Sequence, residues 1–311
     1  MSAKLTVLAV LIALAVSASA SASEPIHETN LTRISLKVNA RGEALVTYRQ
    51  PNGLVRHVVA WGATNAIAPD ASTPQVRFEF DQAGGWGKYR NGRYWKTFRS
   101  CPRYDGPTLP YLVAACKAPD GSYWALQNWQ RDQPLLGFDP WLRSQNAYEL
   151  NVSHWSGPLP VLEVSTNWSF GGTAVSLFGR LTYLGKPVYG FGTGKLGAPT
   201  DRNGRVVYID TFNSAYGPGW RRESGIVTHK GTGTFCHSFV PQKPFAGYPS
   251  QDVRPAARGE RYRVTVSGPG VTPLVQWEGP GLGPYDAAAD QEKNRMFDDV
   301  MAGDRLCAGE R

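Results

Sequence analysis

The sequence predicts an all-β protein, an antiparallel β-sandwich or barrel-like assembly of one large or two adjoining β units with a short C-terminal helix. Three observations carry this expectation. Gly and Pro number 34 and 23 among 311 residues, about 18% of the chain against about 12% on average. Such a content favours short elements and tight turns over long helices. Alternating runs of β-branched and aromatic residues recur along the chain, as suits a pleated, half-buried surface. Strong turn residues separate these runs.

Taken in order, Ala44 to Arg49 and Leu54 to Trp61 flank Gln50-Pro51-Asn52-Gly53, where Asn-Gly signals a hairpin. Tyr111 to Cys116 and Ser122 to Gln127 flank Pro119-Asp120-Gly121 in the same way. A third hairpin is expected from Ala147 to His154 and Pro160 to Trp168 around Ser156-Gly157-Pro158, and a fourth around Gly185-Lys186. Arg205 to Asp210, Thr234 to Val240, Tyr262 to Ser267 and Leu274 to Glu278 complete the strands. Asp286 is placed to cap one helix, with Phe297, Val300 and Met301 on one face and Gly303 at its end. Pro134, Gly137 and Pro140 interrupt the pattern. The expected units are therefore 23–143 and 144–285, followed by a tail, 286–311.

The N-terminus reads as an export signal. Lys4 precedes an apolar run from Leu5 to Val16, and Ala-x-Ala sites follow at Ala18/Ala20 and Ala20/Ala22. That run is too short to span a bilayer, and no later stretch is long and apolar enough to do so. Residues 1–22 are the expected signal peptide, and the expected location is extracellular. Export makes the four cysteines disulfide partners. Cys101–Cys116 and Cys236–Cys307 are the expected pairs, and no Cys-x-x-Cys suggests a metal site.

The net charge is +8. Lys88, Arg90, Arg93, Lys96, Arg99 and Arg103 crowd into residues 84–106, with Asp105 the only acid there. Trp86, Tyr89, Tyr94, Trp95, Phe98 and Tyr104 are interleaved with them. Guanidinium groups meet carboxylate or phosphate, while rings stack on flat sugar or base faces. The competing reading is a strand whose aromatics fill the core, with Tyr94 and Phe98 on one face and Trp95 on the other. A second candidate is the glycine-rich loop from Asn213 to Gly225. The expected contacts are Trp86, Tyr89, Arg90, Arg93, Trp95, Tyr216, Trp220, Arg221 and Arg222. Export makes nucleic acid a poor partner. An anionic or carbohydrate polymer outside the cell fits better.

Carboxylates supply the enzymatic alternative, a secreted hydrolase. Glu149, Glu163 and Asp210 lie in expected strands, and two carboxyl groups about 5–10 Å apart can cleave a glycosidic bond. His154 and His237 alternate in phase with apolar neighbours and read as core residues. Gly-x-Ser-x-Gly and Walker loops are absent, and no metal or cofactor is expected. A purely structural or interaction protein is the third reading.

Overall fold

The computed structural model describes residues 23–62, 78–130, 147–169, 174–187, 192–193, 199–200, 206–214, 217–223, 227–230, 234–239, 259–267, 273–281 and parts of 286–295. It is an all-β protein of several antiparallel sheets. The expected signal peptide, residues 131–146 around the expected boundary, and Cys307 lie outside the described residues.

Sheet I contains β2 (Thr32–Val38), β3 (Ala44–Arg49), β4 (Val55–Trp61) and β5 (Glu79–Asp81) in that order. Sheet II contains β1 (Ser23–Thr29), β8 (Tyr148–Trp155), β7 (Tyr123–Gln130) and β6 (Leu112–Lys117), in the order β1-β8-β7-β6. Both hairpins expected here form. The β3–β4 turn closes with Gly53 N–H on the Gln50 carbonyl, and the β6–β7 turn with Gly121 N–H on that of Ala118. Alternation then decides what lies between the sheets. Val46, Tyr48, Val58 and Ala60 of sheet I meet Trp124, Leu126, Leu150 and Val152 of sheet II in one buried cluster. The opposite face of sheet I is buried as well, because Leu45 and Val59 pack beneath Tyr94 and Phe98. A sheet covered on both faces explains why β3 reads as an almost unbroken apolar run.

The remaining strands make two further sheets. Sheet III holds β9 (Val161–Ser169), β10 (Ala174–Tyr183), β11 (Lys186–Pro187), β16 (Val227–Lys230) and β17 (Thr234–Phe239). Sheet IV holds β12 (Gly192–Thr193), β13 (Pro199–Thr200), β14 (Val206–Ser214), β15 (Gly217–Glu223), β18 (Arg261–Ser267) and β19 (Val275–Pro280). Sheets II and IV are joined by a side chain acting as a short strand. The Gln127 amide donates to the Leu274 carbonyl at 3.1 Å and accepts from the Leu274 N–H at 2.8 Å.

Several details differ from expectation. The β8–β9 hairpin does not form: β8 pairs with β7 and β1, whereas β9 pairs with β10. Pro158 and Pro160 keep the connection extended and remove two donors, so the chain leaves sheet II instead of folding back. Sheet II therefore runs across the expected 143/144 boundary. The β10–β11 turn lies at Leu184-Gly185, one residue earlier than expected, with positive φ at both positions (49° and 72°). That pair of angles matches the twist of a tight hairpin.

Cys101 and Cys116 form the expected disulfide, with Cα atoms 5.1 Å apart. Closing a loop of 15 residues stabilises by about 3 kcal/mol on chain-entropy grounds. Asp286 caps its helix as expected, its Oδ1 accepting from the N–H groups of Ala288 and Ala289. Phe297, Val300 and Met301, and the expected Cys236–Cys307 pairing, fall outside the described residues and side chains.

Candidate binding surface

The basic, aromatic segment is not a strand. It forms a layer over the outer face of sheet I, made of a single α-turn, α1 (Trp86–Tyr89), and a 3-10 turn from Tyr94 to Thr97. Asp81 at the end of β5 starts it: Oδ1 accepts from Ala83 N–H and Oδ2 from Lys88 N–H, both at 2.9 Å. Gly85, at φ 107°, lies against the Tyr94 side chain so closely that a Cβ there would stand 2.4 Å from the Tyr94 Cβ and 2.6 Å from its ring. Arg90 ends α1 in a left-handed conformation at φ 51°, with its N–H on the Trp86 carbonyl. These reversals defeat the alternation expected of a strand.

Beneath the layer, Tyr94 and Phe98 are buried against Leu45 and Val59. Tyr89 stacks on Tyr94 at 4.0 Å, and Trp95 stacks on His57 at 4.1 Å, nearly parallel. Glu43 is the clasp. Its carboxylate is almost buried and accepts from the phenols of Tyr89 and Tyr94, from Asn39 Nδ2 at 2.8 Å and from Lys88 Nζ at 3.4 Å. Lys88 Nζ also lies 3.6 Å from the centre of the Trp61 ring. Burial first, then the Glu43 hydrogen bond and charge, push the Tyr94 phenol up to about 12. Burial also lowers His57.

What remains outside is the candidate surface. Trp86 is 54% exposed, with the edge of its ring over Gly92. Arg90, Arg93, Lys96 and Arg99 are exposed, and none is paired with a carboxylate among the described residues. The expected contacts in this segment thus divide. Trp86, Arg90 and Arg93 face solvent, whereas Tyr89 and Trp95 mainly hold the layer in place. Sequence reasoning missed Glu43, Asp81, Trp61 and His57. No local signal marks Glu43, whose phenol partners lie 46 and 51 residues away.

The second expected site is also rebuilt. The stretch from Asn213 is not a long loop but a hairpin of β14 and β15, with Trp220 opposite Phe212 and Arg222 opposite Asp210. A register shift after Phe212, and Asn213 Oδ1 accepting from Gly219 N–H at 2.8 Å, absorb the glycines. Trp220 is half-buried, 4.2 Å from the guanidinium of Arg263 and 5.4 Å from that of Arg261. Arg221 is half-buried and points to the opposite face of the strand from Arg222. Arg222 is no surface contact: it is 6% exposed and grips Asp210 from Nε at 2.5 Å and Nη2 at 3.2 Å. Tyr216 lies outside the described residues.

The three carboxylates weighed for hydrolysis occupy three different sheets: Glu149 in sheet II, Glu163 in sheet III and Asp210 in sheet IV. Glu163 is exposed and stands opposite Arg180. Asp210 is fully buried, and Arg263 binds it from the other side at 2.9 and 3.1 Å. It is the centre of an ion-pair cluster and has no open face for a substrate. His237 is buried as expected, and burial pushes it down to about 3. Among the described residues no three His, Cys, Asp or Glu side chains converge as metal ligands, and no helix is long and apolar enough to cross a membrane.

The fold and the surface define an all-β protein with an aromatic and basic layer whose outer side, Trp86 and the exposed cations, faces solvent. Comparison with known protein families, curated proteins and solved structures finds no match to this chain.

Proposed function

We propose that this is an exported binding protein whose layer at residues 86–99 engages an anionic polymer carrying flat sugar faces, outside the cell. One observation carries the reading: a tryptophan more than half exposed sits on a turn pinned by Asp81 and the Glu43 clasp, among four exposed cations without acidic partners among the described residues. A large ring held in solvent gains nothing for folding, whereas stacking on a ligand uses it at little further cost in conformational entropy. Arg90, Arg93 and Arg99 supply the forked donors that suit carboxylate or phosphate oxygens. The Trp220 face adds a half-covered ring between guanidiniums and supports the same chemistry less strongly.

The test compares binding of polygalacturonate, heparin and neutral dextran to the full chain and to Trp86→Ala. Retention on the charged polymers is expected, with dextran much weaker. Trp86→Ala is expected to weaken it about tenfold, within the roughly 1–3 kcal/mol per stacked ring, while thermal stability stays unchanged. Equal retention of both proteins, or no retention on either polyanion, overturns the reading.

A further inference from the structure

His154 lies on β8 inside the sandwich and is 6% exposed. It stacks on Trp124, its cross-strand neighbour on β7, with ring centres 4.0 Å apart and planes within 9°. Both of its ring nitrogens are engaged. Nδ1 is 2.6 Å from the carbonyl oxygen of Gly62, at the end of β4, and Nε2 is 2.7 Å from the hydroxyl of Ser122. That hydroxyl also lies 2.6 Å from Oδ1 of Asp120, in the β6–β7 turn.

Three contacts along this chain need three protons, whereas a neutral imidazole, one hydroxyl and an ionised carboxylate supply two. A carbonyl oxygen only accepts, so Nδ1 carries a proton. Ser122 has a single hydroxyl proton and two short contacts to serve. If it donates to Nε2, the contact with the Asp120 oxygen holds a proton only when Asp120 is itself protonated. If it donates to the Asp120 carboxylate, Nε2 must be the donor to Ser122, and the ring is an imidazolium. The choice falls to the imidazole. An ordinary carboxyl releases its proton about 2–3 units below an imidazole. Asp120 Oδ1 also accepts from the Ser122 N–H at 3.0 Å, a bond that favours the ionised carboxylate. The indole face of Trp124 also favours a cation stacked on it.

We propose that His154 is a buried imidazolium, connected to solvent through Ser122 and Asp120, and that it latches sheet II to the end of β4 as a proton-dependent closure of the sandwich. The latch spans three elements, for Trp124 Nε1 also donates to the Gly42 carbonyl in the β2–β3 turn at 2.9 Å. Of the charged groups around it, Asp120 is exposed and faces the ring through Ser122. Arg41 and Glu43 flank Gly42, with Glu43 occupied by Tyr89, Tyr94 and Lys88. Ser122 is buried with its proton committed to Asp120, so the trio is a proton path and no nucleophile.

The sign of the pH dependence follows. A group bound more tightly as a cation contributes its full stability below the ordinary imidazole value of about 6.5 and loses it as pH rises through the higher folded value. Asp120 contributes in the opposite sense, and its part is lost as pH falls through its lowered value.

The test is a pH titration of the imidazole nitrogens of the 15N-labelled full chain, with Ser122→Ala and Asp120→Asn alongside. His154 is expected to show two protonated nitrogens at pH 7 and to titrate above about 6.5. In each variant its titration is expected to fall by on the order of one unit or more, while His237 stays neutral in all three. A single protonated nitrogen on His154 at pH 7 overturns the proposal, as does a titration that neither variant moves.

Discussion

Asp210→Ala is expected to destabilise the protein by roughly 3–5 kcal/mol, the usual cost of leaving a buried charge without its partner. Asp210 is fully buried between Arg222 and Arg263, which are 6% and 7% exposed. Four hydrogen bonds converge on its two oxygens. Register dictates the arrangement, since Arg222 on β15 and Arg263 on β18 stand directly opposite Asp210 on either side of β14. Two guanidiniums already share one carboxylate, and the rings of Tyr208 and Trp220 lie over them at 4.4 and 4.2 Å. Alanine would leave two buried cations facing each other without the carboxylate they share. Asp210→Asn keeps the volume and loses the charge, and is expected to cost nearly as much. Glu163→Gln changes an exposed residue and should stay within about 0.5 kcal/mol. Urea unfolding followed by tryptophan fluorescence measures all three. A loss below about 1 kcal/mol for Asp210→Ala would show that the cluster does not hold sheet IV together.

Removing Glu43 is the second large effect. Glu43→Ala takes away the acceptor shared by two phenols, an amide and an ammonium, and unsatisfied donors of that kind cost about 1–3 kcal/mol each where buried. With Lys88 and Tyr89 free to turn to water, a total of roughly 2–4 kcal/mol is expected. The functional sign is more telling than the magnitude. On charge alone, deleting an acid beside a polyanion site should strengthen binding. If Glu43 instead holds the layer that carries Trp86, Arg90 and Arg93, binding weakens. Affinity for polygalacturonate and thermal melting, measured together on Glu43→Ala and Glu43→Gln, separate the two cases. Tighter binding in both variants contradicts the clasp.

Much of the fold was legible because its signals are local. Asn52-Gly53 and Asp120-Gly121 marked two hairpins, and the flanking alternating runs marked their strands. Asp286 was readable as a cap and Cys101–Cys116 as a pair for the same reason. The β8–β9 hairpin failed because Ser156-Gly157-Pro158 contains a turn signal, while Pro160 makes the passage to another sheet easier than a return. The 84–106 segment alternates like a strand, yet Gly84 and Gly85, at φ 65° and 107°, break it into turns. What makes it a layer is tertiary: Tyr94 on Gly85, Trp95 on His57, and both phenols on Glu43. The Trp220 region looked like a loop because glycines are rare in strands, and only cross-strand partners absorb them there. Asp210 had the residue type of a catalyst, and its two arginines became visible only through strand pairing.

Contact of a polyanion with the exposed cations and ring of the 86–99 layer is tested by the salt dependence of polygalacturonate affinity. Affinity is expected to fall steeply between about 50 and 300 mM salt, on the order of tenfold or more for several charge contacts. A shallower dependence is expected for Arg90→Ala/Arg93→Ala, by about one contact for each cation removed. Affinity that ignores salt, or a double variant with the slope of the native chain, would contradict that contact.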